Sequence, residues 1–351
     1  MVGCATPEAG LRTVLGDGGG FNVRSMSDTE STDGREDYII PTLAARTRHP
    51  NIWAVKGLHY YDRDTFHLWN TCMCVRRPGR ALTDDAMCLP YARHAAEWFP
   101  VWERVVADLG LPDIKFQVDV ASPVTMGGFT WGPGLLHHYD DELGAAVRQI
   151  ESILTNTRGR VVFQISAPVE TVLTAWTPTR YREAEAWAMA GRIVGLAAAS
   201  PPGTEFIIHL CMGRPRGKPV TTLDDTDPLT VLMNAIWSQW PDRQTLNGIH
   251  FPLGDVTHPA PTDPGYYASM RGLILPPWVD LIAGIANLAV VDDEVQRAAL
   301  WEAEHAAGRE LAVSTPCGLG PDPRVVPPTL LRLRDLSMMP VTPNTNGDAL
   351  R

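Results

Sequence analysis

The chain has 351 residues, 44% of them hydrophobic and 20% charged, a balance that supports a full globular core and excludes a disordered or fibrous class. Acidic residues outnumber basic ones 40 to 30, for a net charge of −10, which excludes generic nucleic-acid binding and attachment to an anionic membrane, since both need basic surface. No run reaches the ~18 apolar residues of a membrane span, no leader-like segment opens the chain, and six cysteines are too few for a disulfide scaffold, so the expected setting is the cytoplasm.

Residues 1 to about 35 contain Gly16-Asp17-Gly18-Gly19-Gly20 and the polar stretch Ser25 to Asp37, with little to bury, and read as a flexible tail. Residues 341–351 read the same way. Between them, 36–340 alternate two patterns. Short β-branched or apolar runs predict strands at Tyr38–Pro41, Ile52–Val55, Ile114–Val120, Val161–Ile165, Glu205–Leu210, Gly248–Phe251, Leu288–Val291 and Leu311–Val313. Helical spacing joins Ala95, Trp98, Phe99, Trp102, Val105, Val106 and Leu109, with Gly110-Leu111-Pro112 as the stop. The same spacing joins Trp187, Ala190, Ile193, Val194 and Ala197, and a third helix runs from Asp292 or Asp293 to about His305, before Gly308. His137 to Glu142 begins a further helix, its acids favoured in the first turn by the helix dipole. Eight strands alternating with helices predict a single (β/α)8 TIM barrel, an α/β fold with one parallel sheet.

Thr204 to Gly213 carries the chemistry. The strand is apolar up to His209 and then offers His209 and Cys211, two residues apart and therefore on one face. They lie at the carboxyl end, where barrel enzymes build their sites. Cys317 follows another predicted strand, in Thr315-Pro316-Cys317-Gly318. One imidazole and two thiols suit Zn2+, and three protein ligands leave a corner open for substrate. The alternative for each of these residues is a packed histidine and inert buried cysteines.

Phe163-Gln164-Ile165-Ser166-Ala167-Pro168, His209-x-Cys211 and Thr315-Pro316-Cys317-Gly318-Leu319 occur in this order, preceded by Val120-Ala121-Ser122-Pro123-Val124-Thr125. Over about residues 113 to 320 this resembles the superfamily of cobalamin-independent methionine synthase and uroporphyrinogen decarboxylase, on its methionine-synthase-like, single-barrel side. The resemblance implies a (β/α)8 barrel, zinc on His209, Cys211 and Cys317, and activation of a thiol for methyl transfer. It also makes the strand end with Gln164 and Ser166 a substrate-binding stretch. Where methionine synthases have Asp-Glu-Pro this chain has Ser166-Ala167-Pro168, and the family's further glutamate ligand has no counterpart; Glu205 lies too deep on its strand.

Other residues at predicted strand ends complete the candidate site. Arg214 and Arg216, with Lys218 beside them, would receive a carboxylate or phosphate. His59, with Tyr60 and Asp62, would contact substrate from an early loop, and His250 or Asp255 would act as general base or fourth ligand. Cys72-Met73-Cys74 reads as a packed or substrate-lining pair. The expected activity is that of a zinc-dependent methyltransferase acting on a small anionic or thiol-bearing molecule. A metal-free decarboxylase or lyase, and a barrel that only binds, remain the alternatives, and a homodimer is left open.

Overall fold

The structure, a computed structural model, describes residues 6–17, 25–27, 39–56, 73–213, 219–255, 258–286, 293–318 and 326–338. Strands are β1 Ser25–Ser27, β2 Ile52–Lys56, β3 Met73–Arg76, β4 Lys115–Ala121, β5 Val161–Ser166, β6 Glu205–His209, β7 Thr245–Pro252, β8 Asp280–Gly284 and β9 Ala312–Ser314. Helices are α1 Pro7–Arg12, α2 Ile39–Arg48, α3 Asp84–Met87, α4 Tyr91–Asp108, α5 Pro123–Trp131, α6 Leu135–Thr157, α7 Pro168–Trp176, α8 Thr179–Ala199, α9 Asp227–Ser238, α10 Asp293–Ala307 and α11 Val326–Ser337.

Seven strands form one parallel sheet in the order β1-β4-β5-β6-β7-β8-β9. From β4 onward each strand pairs with the next in the chain, so the order never reverses. A doubly wound sheet reverses; a (β/α)8 barrel does not. The fold is the barrel, with seven of its strands among the described residues.

Alternation along the strands assigns their two faces. Phe116, Val118, Val120, Phe163, Ile165, Phe206, Ile208, Ile249 and Phe251 join one apolar cluster with Trp102, Ile150, Ile193 and Leu232 from the helices. Intervening positions therefore face the barrel interior, and most of them are polar: Lys115, Gln117, Asp119, Gln164, Ser166, Glu205, His209 and His250, with Val162, Ile207 and Ile282 as apolar members. An interior packed with branched apolar layers is the usual barrel arrangement; this one is built for polar contacts.

Several elements differ from the sequence expectation. Tyr38–Pro41 was expected as a strand, but Ile39–Arg48 is a helix. Pro41 sits in its first turn, where no intrahelical N–H bond is lost, and Leu43 and Arg46 are fully buried. Ile52–Val55 is a strand outside the barrel, paired antiparallel with β3. The barrel strand near residue 280 is β8, whereas the predicted Leu288–Val291 strand lies outside the described residues. Within the predicted amino-terminal tail, α1 places Leu11 in the core and β1 pairs with the edge of β4. Trp187 is 54% exposed, although Ala190, Ile193, Val194 and Ala197 on the same helix are buried. No helix among the described residues is long and apolar enough to cross a membrane.

A second apolar cluster joins Leu43, Ile52, Cys74 and Met87 to Val124, Phe129, Trp131 and Ala145. At its centre Arg46 Nη1 meets Glu142 Oε1 at 2.6 Å, both side chains essentially unexposed. Arg46 also donates to Met87 O and Thr130 Oγ1, and Trp131 Nε1 donates to Glu142 Oε1 at 2.8 Å. Since α6 starts at Leu135 and has no acid in its first turn, Glu142 serves this pair and not the helix dipole. Removing one partner strands a charge in apolar surroundings, at a cost of about 3–5 kcal/mol. Arg46→Ala is expected to lower unfolding stability by that order, and Arg46→Met with Glu142→Leu by clearly less. Urea denaturation of the two variants checks this; equal losses would refute it.

Candidate metal centre

The carboxyl ends of β6 and β9 bring three soft donors together. One ligand atom each from His209, Cys211 and Cys317 lies within 4.8 Å of the others. The two sulfurs are 3.3 Å apart, Cys211 Sγ donating to Cys317 Sγ. Two thiolates on one tetrahedral zinc, at ~2.3 Å each, stand about 3.8 Å apart, so a shift of about half an ångström seats them on one ion. Cys211 and His209 are buried and Cys317 is half-buried. The shared proton with Cys317, and then burial, hold the Cys211 thiol well above its ordinary pKa. Two such sulfurs ionise together only beside a cation.

The neighbouring groups are already paired. Gly213 N donates to Cys211 Sγ at 3.2 Å from a turn in which Gly213 has φ +67°, a backbone conformation that favours glycine. His209 and His250 are register partners on β6 and β7, and their Nδ1 atoms are 2.7 Å apart. His250 Nε2 lies 2.9 Å from Thr315 O. Burial, and then the neighbouring His209 imidazole, push the His250 imidazole well below its ordinary pKa.

Deeper in the barrel a polar layer spans β4 and β5. Ser166 Oγ and Gln164 Nε2 both donate to Asp119 Oδ1, at 2.6 and 2.9 Å, and Gln117 Nε2 donates to Gln164 Oε1 at 2.9 Å. Below it Glu205 binds Lys115 and accepts from Asn247 Nδ2, at the end of the strand away from the thiols. Asp119 and Gln117 escaped the sequence reading, although the alternation in Lys115-Phe116-Gln117-Val118-Asp119-Val120 carries the signal.

Asp255 lies apart from the thiols, on a cavity of about 280 Å3 between the loops after β6 and β7, lined by Met212, Leu223, Leu253, Pro259 and Tyr266 among others. It accepts from His258 N at 2.9 Å, and its Oδ2 is 3.0 Å from His258 Nδ1. Met212, the neighbour of Cys211 in sequence, is among its lining residues, whereas His209, Cys211 and Cys317 are not. Arg214, Arg216, Lys218, His59, Tyr60, Asp62 and Cys72 lie outside the described residues. Cys74 is buried in the second apolar cluster, and His138 pairs with Asp141 at 3.1 Å.

No family model matches the chain, and no curated protein matches it. Among solved structures it is similar to a B12-independent methionine synthase from Shewanella sp. W3-18-1 in complex with selenomethionine, with a TM-score of 0.53 and 13% identity over 94% of this chain and 86% of that one. A methyltransferase from Methanosarcina mazei overlaps with a TM-score of 0.43 and 14% identity, over 76% of this chain and 72% of the other.

Beside the site, Glu170 on α7 is fully buried. Thr125 Oγ1 donates to its Oε2 at 3.1 Å, and Oε1 has no hydrogen-bond partner among the described residues. Burial pushes its carboxyl up to about 7, against the opposing pull of the Ser122 and Thr125 hydroxyls. The folded state therefore keeps a proton that the unfolded state releases, and stability falls as pH rises from about 4.5 through about 7. The full loss is roughly 3 kcal/mol. Glu170→Gln is expected to flatten this slope, measured by urea unfolding from pH 4 to 8; an unchanged slope refutes the assignment.

The chain therefore has the (β/α)8 fold seen in a B12-independent methionine synthase, with a His/Cys/Cys cluster at the carboxyl ends of its strands.

Proposed function

We propose that the protein is a zinc-dependent methyltransferase that activates a small thiol, or a similar soft nucleophile, for alkyl transfer. The observation that carries this reading is the convergence of His209, Cys211 and Cys317 from two strand ends to within 4.8 Å. Nitrogen with two sulfurs is a zinc donor set, and three protein ligands are the catalytic count. The likeness in fold to a methionine synthase supports the same reaction class.

His209, Cys211 and Cys317 would hold the ion. Bound zinc supplies the Lewis acidity that keeps an incoming thiol ionised at neutral pH. Gly213 N stabilises the Cys211 sulfur through its hydrogen bond. The polar layer of Asp119, Gln164 and Ser166 contacts the nucleophile below the cluster, and the cavity beside Met212 takes the non-reacting part of a substrate. Ser166 stands where methionine synthases carry an acid, which puts homocysteine in doubt as the acceptor, although the Asp119 carboxylate lies 2.6 Å from Ser166 Oγ. Arg214 and Arg216 are assigned an anionic group of the substrate.

Purified protein is expected to contain one zinc per chain by elemental analysis. Cys211→Ser and Cys317→Ser should each lose most of it while keeping the wild-type circular dichroism spectrum. A wild-type protein purified with zinc supplied and found metal-free would overturn the proposal.

A further inference from the structure

Resting on that zinc reading, we infer that His250 is a positioning residue: it fixes the tautomer of His209, so that His209 meets the metal through Nε2, and it is not itself a ligand. Thr315 O faces His250 Nε2. A carbonyl only accepts, so the 2.9 Å contact places a proton on His250 Nε2. Neutral imidazole carries one proton, and His250 lies in surroundings that oppose a second: it is buried and faces another imidazole at a ring-centroid distance of 4.4 Å. Its Nδ1 therefore presents a lone pair. The 2.7 Å contact between the two Nδ1 atoms then needs its proton from His209. His209 is protonated on Nδ1, and Nε2 is left as its lone-pair nitrogen.

The surroundings are shaped for this arrangement. A Cβ on Gly284 would lie 3.1 Å from His250 Nε2 and 2.8 Å from Pro316 Cα, so only glycine lets the ring and the segment leading to Cys317 approach this closely. Thr315, which anchors His250, is two residues from Cys317. One imidazole thus spans from the nitrogen donor on β6 to the strand end that carries the second sulfur. With both its nitrogens engaged, His250 leaves the fourth corner of the ion to a molecule from solution.

Two conservative variants separate the contacts. In His250→Asn the amide oxygen stands near the position of Nδ1 and keeps an acceptor for His209. In His250→Gln the amide nitrogen reaches the position of Nε2 and keeps the donor to Thr315. Zinc affinity is read by competition with a chromophoric chelator, and His209 protonation by 15N-histidine NMR of the wild type. His250→Gln and His250→Ala are expected to bind zinc ~10- to 100-fold more weakly, the usual range for an outer-shell partner, with His250→Asn within about threefold of wild type. The wild-type spectrum should show the His209 proton on Nδ1. A pattern in which Gln rescues and Asn does not, equal affinity in all variants, or a His209 proton on Nε2 overturns the inference. A wild type that binds no zinc overturns the functional reading instead, whereas the spectrum of the metal-free protein still tests the tautomer and needs no variant to fold.

Discussion

Parallel backbone pairing at the carboxyl ends of the strands is the constraint on which the site depends. Ser166 is level with His209, and His209 with His250. The ladder continues past the last strand residues: Ser122 N reaches Ser166 O, Ala167 N reaches His209 O, Leu210 N reaches His250 O, and Ile285 N reaches Ser314 O, each within 2.9 Å. A slip of one residue in β6 would turn His209 and Cys211 from the interior toward the helices. Phe206 and Ile208 oppose such a slip because both are fully buried against the helical layer. Apolar packing outside thus fixes polar chemistry inside, through the period of two.

What the sequence disclosed follows the same logic. The strands β4 to β6 show clear periodicity and were placed to within one residue, whereas β7 and the long helices α4 and α8 were recognised but begin earlier than their first periodic residues Gly248, Ala95 and Trp187. His209 and Cys211 stood out because two soft donors interrupt an apolar strand. Their meeting with Cys317 was legible through the expectation that strand ends share one face of a barrel and through the family resemblance over residues 113 to 320. The Tyr38–Pro41 run has strand-like residues, but Ile39 packs on the second apolar cluster one turn before the buried Leu43, which favours a helix, a tertiary effect that four residues do not reveal. Asp119 was overlooked because a buried parallel strand is expected to be uniformly apolar, and the barrel interior here is not.

His250 shows the limit of reading residue types alone. A histidine at a strand end beside a metal motif suggests a ligand or a base. Its geometry gives both ring nitrogens to protein partners, His209 and Thr315. The distinction lies in the direction of two hydrogen bonds, which no spacing rule encodes. Arg46 and Glu142 illustrate the converse: separately they look like ordinary surface residues, yet they bury each other beneath the β2–β3 pair.

The polar interior also changes where the molecule keeps its stability. A barrel filled with branched side chains holds itself together from the middle, whereas here amides, hydroxyls and carboxylates share the centre with a few apolar side chains such as Val162 and Ile207. Cohesion resides in the outer shell, where Phe116, Phe163, Phe206 and Phe251 press against the helices. Gln117, Gln164 and Ser166, joined through Asp119, thus give the lining its chemistry while the shell around them gives it its shape.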